Sequence, residues 1–451
     1  MEDEEKLEII QQELLGQRTP EKPMDEAYHP ADIAAAIQSL EDKSKVLKAF
    51  QSVGVDLGSE VLPLLEDPAR EHILSNTPPE TLAEIIVEMD SDDAADILGE
   101  MDSGDAEEVL DAAPVEVDEE VSRLMLFGPE TAGGLMQTEL FSVDQSSTLD
   151  ETLALFRSLP EINREVYNMF VIDKDGKLKG VLPIIELLLN PGDRNIAGMI
   201  DESHPPIYVF ADEDQEHVAQ VFKKYDLISV AVVDRDMVLL GRVLIDDIVD
   251  VIEEEADEDI MRLAGAEEEI LSRAISPVEM ARYRLPWLAT SLGGGFATGA
   301  LIWLFRGTLE GLIALATFIP MVMGISGNVG IQSSTLVIRG LATGRLAEGS
   351  LVSFLFKELR VGLILGVVCG LLSGVVAGLW QASPELGVIV GISILLAIFL
   401  AAFLGAVVPL FFQWMEVDPA IAGGPIVLAL NDITAIFIYL SVATLLIHFL
   451  L

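Results

Sequence analysis

One acid inside an otherwise apolar run has the largest chemical consequence in this chain: Asp432, within Pro419–Leu451. About 20 apolar residues cross the ~30 Å of bilayer hydrocarbon, so an acid this far into the run is expected near the midplane, where a bare carboxylate costs ~2.5–3.5 kcal/mol. Such a group is kept when a cation or water meets it, or when it is protonated and hydrogen-bonded to a neighbouring helix. Asn431 and Thr434 beside it are polar, and Gly423-Gly424-Pro425 upstream is expected to loosen or kink the helix where its backbone lines a cavity.

A second apolar segment, broken by Pro320, turns polar at "GISGNVGIQSST", which puts Asn328, Gln332 and Thr335 on one helical face. Side-chain oxygens there suit interhelical hydrogen bonds or the water shell of a passing ion, and Asp432 favours the shell. In the next segment Gly362, Gly366, Gly370, Gly374 and Gly378 recur every four residues, the spacing of close helix contact.

Further carboxylates gather outside the apolar runs. Asp92, Asp93 and Asp96 crowd one helix start, where they either cap a solvated helix or hold a divalent ion. In 246–275, Asp247, Asp250, Glu254 and Glu258 fall at i, i+3, i+7 and i+11, with Val249, Ile252 and Ile260 toward another side. Like charges at that spacing destabilise a helix by ~0.2–0.5 kcal/mol per pair, so the run is a solvated linker or a seat for cations. Its place before the first apolar segment, with Glu416 and Asp418 at the mouth of the last, suggests a shared cation.

The elements that position these groups follow from composition. The chain has 451 residues with 74 acids and 27 bases; residues 1–284 carry a net charge of −45 and residues 285–451 only −2. A soluble acidic body is therefore joined to a membrane domain. The body should repel nucleic acid and attract divalent cations. Cys369, the single cysteine, excludes an internal disulfide, and residues 1–16 have no apolar core of the kind a signal peptide needs.

Residues 1–130 repeat short acid-headed helical phrases ("ETLAEIIVEM", "DDAADILGEM", "DAEEVLDAAP") and read as an all-α helical repeat domain. Within 137–253, "VIDKDGKLKGVLPIIELL" returns 61 residues later as "VVDRDMVLLGRVLIDDIV", pairing Asp173 with Asp234 and Gly180 with Gly241. Each copy reads as strand, helix, two strands and helix. Residues 246–275 read as an acidic connecting helix, and 282–451 as a transmembrane domain of five helices. Arg282, Arg284, Arg339, Arg345, Lys357 and Arg360 fall on one side of the five spans and Arg306 on the other, so the amino terminus is expected in the cytoplasm and the carboxyl terminus outside.

The duplicated unit resembles a tandem pair of CBS domains, which implies ATP or a related nucleotide as a candidate ligand of the cleft. Where many nucleotide-binding copies carry Ser or Thr, this chain has "PIIE" and "LIDD". Together with "FIPMVMGISGNVGIQSST", "VDPAIAGGPIVLALNDITAIFIYLS" and the acidic helical domain, the chain resembles the MgtE family of magnesium channels along its whole length.

That resemblance implies a homodimer in a bacterial-type inner membrane, taking up Mg²⁺ and shut by cytosolic Mg²⁺. It implies Asp432 as the pore acid, flanked by Asn328 and Gln332. It also implies regulatory cation ligands at Asp92, Asp96, Asp214, Glu216, Asp226, Asp247, Asp250, Glu255, Glu258, Asp259 and Asp418. Co²⁺, Ni²⁺ and Mn²⁺ are further candidate cargo. One departure lies at Ile331, where some members carry a polar residue. The competing reading is a secondary divalent-cation transporter coupled to Na⁺ or H⁺, with Asp432 as an exchanging carboxylate; a membrane receptor with a nucleotide-sensing CBS pair is more distant. There is no GxxxxGK[ST] motif, and no nucleophile–base pairing stands out among five histidines, so an enzyme is not expected.

Overall fold

Short amphipathic segments, several of them started by a proline or a capping side chain, build the first part of the chain. These helices are α1 (Glu2–Leu14), α2 (Met24–Ala27), α3 (Pro30–Gln38), α4 (Lys43–Gln51), α5 (Val55–Val61), α6 (Asp67–Leu74), α7 (Pro79–Val87), α8 (Ser91–Glu100), α9 (Ser103–Ala112) and α10 (Val115–Leu124). Pro30 and Pro79 open their helices, where a missing N–H removes no hydrogen bond, and Asp42 starts α4 by accepting from Ser44 N at 3.0 Å. The structure, a computed structural model, describes every residue except 1, 20, 21, 41, 160–165, 202, 204, 267–275, 344, 347–350, 416 and 451, and the side chains of 2–4, 67, 422 and 448–450 are not described either.

The duplicated region forms two like units. The first is β1 (Ser142–Asp144), α11 (Leu149–Ser158), β2 (Asn168–Ile172), β3 (Leu178–Pro183) and α12 (Glu186–Leu189). The second is β4 (Tyr208–Phe210), α13 (Gln215–Tyr225), β5 (Ser229–Val233), β6 (Leu239–Leu244) and α14 (Ile245–Ala264). In each sheet the first strand runs parallel and the last antiparallel to the middle one, with the same irregularity near the end of the middle strand. The matched acids act alike: Asp173 Oδ1 accepts from Asp175 N and Lys177 N at 2.9 and 3.0 Å, and Asp234 Oδ1 from Asp236 N and Val238 N at 2.9 and 2.8 Å. They fold the turn between strands and are not free to bind a ligand through that oxygen. The copies meet across Lys177 and Val238, and Asn168 donates to its own counterpart, Ser229, at 2.9 Å.

Residues 1–253 form one compact unit and 254–451 a second. Within the first, the helical array and the second copy share a core: Ile85, Ile97 and Val109 belong to the same buried cluster as Val209, Phe222 and Val243.

The second unit contains α15 (Pro277–Leu304), α16 (Arg306–Gly311), α17 (Ile319–Ala342), α18 (Leu351–Trp380), α19 (Pro384–Trp414) and α20 (Gly424–Leu450). Among the described residues five segments are long and apolar enough to cross a membrane: Pro277–Leu304, Ile313–Ala342, Leu351–Trp380, Pro384–Trp414 and Gly424–Ile447. The four-residue glycine spacing of α18 brings backbones together, because methyl groups at Gly366, Gly370 and Gly374 would lie 2.8, 2.6 and 2.7 Å from the carbonyl oxygens of Leu395, Gly391 and Gly387 on α19.

Candidate cation sites

Asp432 is half-buried on α20, and no hydrogen-bond or ion-pair partner among the described residues meets it. A methyl group at Gly327 on α17 would stand 3.8 Å from its Oδ1, so the carboxylate lies against that helix. The start of its helix corrects one expectation from sequence. Gly423-Gly424-Pro425 does not kink a long helix but begins one: a 3₁₀ turn spans Pro419–Ala422, and α20 starts at Gly424. Glycine and proline suit a helix start better than an interior. At ~1.5 Å per residue Asp432 therefore sits ~12 Å along a ~30 Å crossing, nearer the midplane than either end.

On α17 the polar residues divide by face. Asn328, Gln332 and Thr335 are exposed, whereas Ser326, Ser333 and Ser334 are buried. The buried face packs tightly: a methyl at Gly330 would lie 1.6 Å from Asn431 Nδ2, and one at Gly405 of α19 would lie 2.3 Å from Gly330 O. Asn431, 1% exposed, thus fixes α20 on α17 beside the acid.

In the first unit, α8 and α14 bring a set of acids together that includes residues the sequence did not single out. Asp92 does not cap a solvated helix; it is buried, accepting from Asp93 N at 3.0 Å and from Gln137 Nε2 at 3.3 Å. Burial, then neighbouring acids, push Asp92 and Asp247 upward together, and burial with Asp90, Asp96 and Asp246 pushes Asp93 up to about 7. Arg242, buried, donates to Gln137 Oε1 at 2.7 Å and is a base that offsets Asp90. Asp90, Asp246 and Arg242 carried no spacing signal, since only the fold apposes the starts of α8 and α14.

The remaining candidates fall into separate places. Asp247, Asp250, Glu254 and Glu258 do not make one solvated ladder: Asp247 turns toward the acids of α8 while Asp250 and Glu254 are exposed, and Val249, Ile252 and Ile260 are exposed as well. Helix α14 ends at Gly265, whose φ of +71° suits a glycine stop; residues 267–275 of the expected helix lie outside the described residues. Glu255 is half-buried and Asp250 is exposed.

Arg262 pairs with both Glu258 and Asp418, and burial, then Asp418, raise Asp259 against the pull of Arg339 and Arg262. Asp418 also accepts from Ala420 N at 2.7 Å; Glu416 lies outside the described residues. Asp214 starts α13 by accepting from Glu216 N at 2.9 Å, and Asp226 ends it with φ of +52°, so the two ends lie ~16 Å apart along the helix. Among the described residues no three His, Cys, Asp or Glu are arranged to hold a metal ion.

A pH dependence follows for the first unit. Acids whose folded pKa is raised bind protons more tightly folded than unfolded, so stability falls as pH rises from about 4 through about 7. Melting in chelator should therefore shift downward between pH 5 and pH 8, by about 2–4 °C per kcal/mol of repulsion. Stabilisation by Mg²⁺ should grow with pH, because bound metal displaces those protons. A Mg²⁺ shift that is constant with pH would remove these acids from the binding reaction.

Comparison with known proteins agrees with this layout. Residues 28–130 match the MgtE intracellular N domain, 132–190 and 197–254 match CBS domains, and 319–442 match MgtE, a divalent cation transporter. The chain is 34% identical to the magnesium transporter MgtE of Thermus thermophilus over 99% of both chains. It is 31% identical to that of Bacillus subtilis over 93% of this chain and 92% of the relative. A crystal structure of the soluble part of a magnesium transporter superposes with a TM-score of 0.50 at 28% identity, covering 56% of this chain and 99% of the other. With helical domain, CBS pair and membrane spans matched in order, the chain belongs to the MgtE family of magnesium transporters, which are not enzymes.

Proposed function

We propose that the chain is a magnesium-selective channel, working as a homodimer, that takes up Mg²⁺ across a bacterial-type inner membrane and closes when cytosolic Mg²⁺ is plentiful. The observation that carries the reading is the exposed polar face of α17 beside a half-buried Asp432 with no partner among the described residues. In lipid such a face needs water or a second subunit.

Mg²⁺ holds six oxygens at ~2.0–2.1 Å and releases water reluctantly, so the favourable contact is with its outer shell. Two copies of Asp432 across a dimer axis supply two charges, and Asn328 and Gln332 hydrogen-bond the ion's waters. The membrane potential drives a divalent ion inward with ~4.6 kcal/mol per 100 mV. Co²⁺, Ni²⁺ and Mn²⁺, with similar hydration shells, are candidate competitors. The one-sided Arg and Lys distribution supports an amino-terminal unit in the cytoplasm and a carboxyl terminus outside.

A homodimer is supported by apolar residues left exposed at matched positions of the two CBS copies: Tyr167 with Ile228, and Leu188 with Val249. It is also what would let Asp226 of one subunit approach Asp214 and Glu216 of another. Gating follows from the acids of α8, α13 and α14. Without Mg²⁺ they repel; bound Mg²⁺ bridges them and favours the closed form, which must hold the ion more tightly than the open one. Asp92, Asp96, Asp247 and Asp250 serve one such bridge, and Glu255, Glu258, Asp259 and Asp418 another, at which Arg262 now sits. ATP in the CBS cleft belongs to the same scheme as a modulator.

The test is flux into liposomes with a set potential. Uptake that follows potential and Mg²⁺ gradient, indifferent to Na⁺ and H⁺ gradients, is expected; stoichiometric movement of a second ion would establish the coupled transporter in its place.

A further inference from the structure

A cavity of about 330 Å³ lies between α17, α18 and α19; Gln332 and Ser333 of α17 are among its lining residues and Asp432 is not. Its walls change character with depth. Lys357 and Glu358 line it just before Val361, the first residue of the continuous apolar run to Trp380, which places them at the level of lipid head groups. Val361 and Leu365, one to two turns deeper, line it together with Val329 of α17. A polar end at the interface and an apolar end in the hydrocarbon is the profile of a phospholipid, not of a hydrated ion.

Glu358 adds the chemical selection. It is 5% exposed, and the one polar group bonded to it among the described residues is Ser333, whose Oγ donates at 2.9 Å; no base stands within ion-pair distance. A buried carboxylate with one neutral donor is left short of a positive partner. Lys357, exposed at the same level and lining the cavity, is suited to a phosphate.

We propose that this cavity holds a phospholipid with an amine head group, its ammonium on Glu358, its phosphate on Lys357 and the upper part of an acyl chain along Val361 and Leu365. The pairing joins opposite charges at both ends of the head group. A quaternary choline head has no N–H to donate to Glu358 and is disfavoured.

The experiment uses the full chain in vesicles of phosphatidylethanolamine with phosphatidylglycerol, or phosphatidylcholine with phosphatidylglycerol, followed by native mass spectrometry of retained lipid. Wild type is expected to retain phosphatidylethanolamine over phosphatidylcholine by about tenfold, the factor a charge-assisted hydrogen bond supplies, and Glu358→Gln to lose that preference. Equal retention by wild type, or an unchanged preference in Glu358→Gln, overturns the proposal. Should Glu358→Gln fail to fold, Leu365→Trp fills the chain-holding end and leaves the carboxylate in place; phosphatidylethanolamine retained by that variant at the wild-type level overturns it equally.

Discussion

Asp432→Ala is expected to lower Mg²⁺ flux on the order of a hundredfold or more while leaving thermal unfolding within a few degrees of wild type. At an effective dielectric of ~20, a carboxylate ~6 Å from a divalent ion, the separation a water layer imposes, contributes ~5 kcal/mol, and half of that is already about a hundredfold. Removing the side chain should cost little stability, since no described residue pairs with it. Asp432→Asn keeps a hydrogen-bonding group for the ion's waters and loses the charge, so most of the effect should persist. Flux within about threefold of wild type in Asp432→Ala would mean the ion does not pass this acid.

Asp247→Asn should act as a permanent protonation of the acid cluster in the first unit. Asp247 is held upward by burial first and by Asp92 and Asp246 next, so its charged form strains the Mg²⁺-free arrangement. Neutralising it is expected to raise the melting temperature in chelator, by about 2–4 °C per kcal/mol of repulsion relieved, and to shrink the Mg²⁺ shift. On the proposed gating, flux at low Mg²⁺ falls toward the level wild type reaches at high Mg²⁺, and the Mg²⁺ dependence flattens. A variant with the wild-type dependence of both melting and flux would separate this cluster from Mg²⁺ sensing. The direction distinguishes repulsion from simple damage, because a ligand lost from a structural site would lower stability in chelator too.

Much of the architecture was legible because it is written in local periodicity. The 61-residue repeat that pairs Asp173 with Asp234 announced two like units, and both acids fold the same turn. Five apolar lengths announced five candidate spans, and the glycine spacing of α18 announced a close helix contact. Each of these signals lies within one stretch of chain, where spacing alone sets which residues share a face.

What spacing could not carry was apposition between distant segments. Asp92 read equally well as a cap or a ligand until Gln137 and the start of α14 were seen to enclose it. The acids of 246–275 read as one ladder, yet packing of Ile248 and Val251 into the core turns Asp247 inward and leaves Val249 and Ile252 outside. Gly423-Gly424-Pro425 read as a kink because composition does not say where a helix begins; the 3₁₀ turn at Pro419–Ala422 does. The sequence by itself determined the order of domains and the number of candidate spans, since these depend on composition and short-range period. Only the tertiary structure decided which acids share a neighbourhood, where the last helix begins and which faces stay open, because burial and pairing between far-apart residues are set by packing.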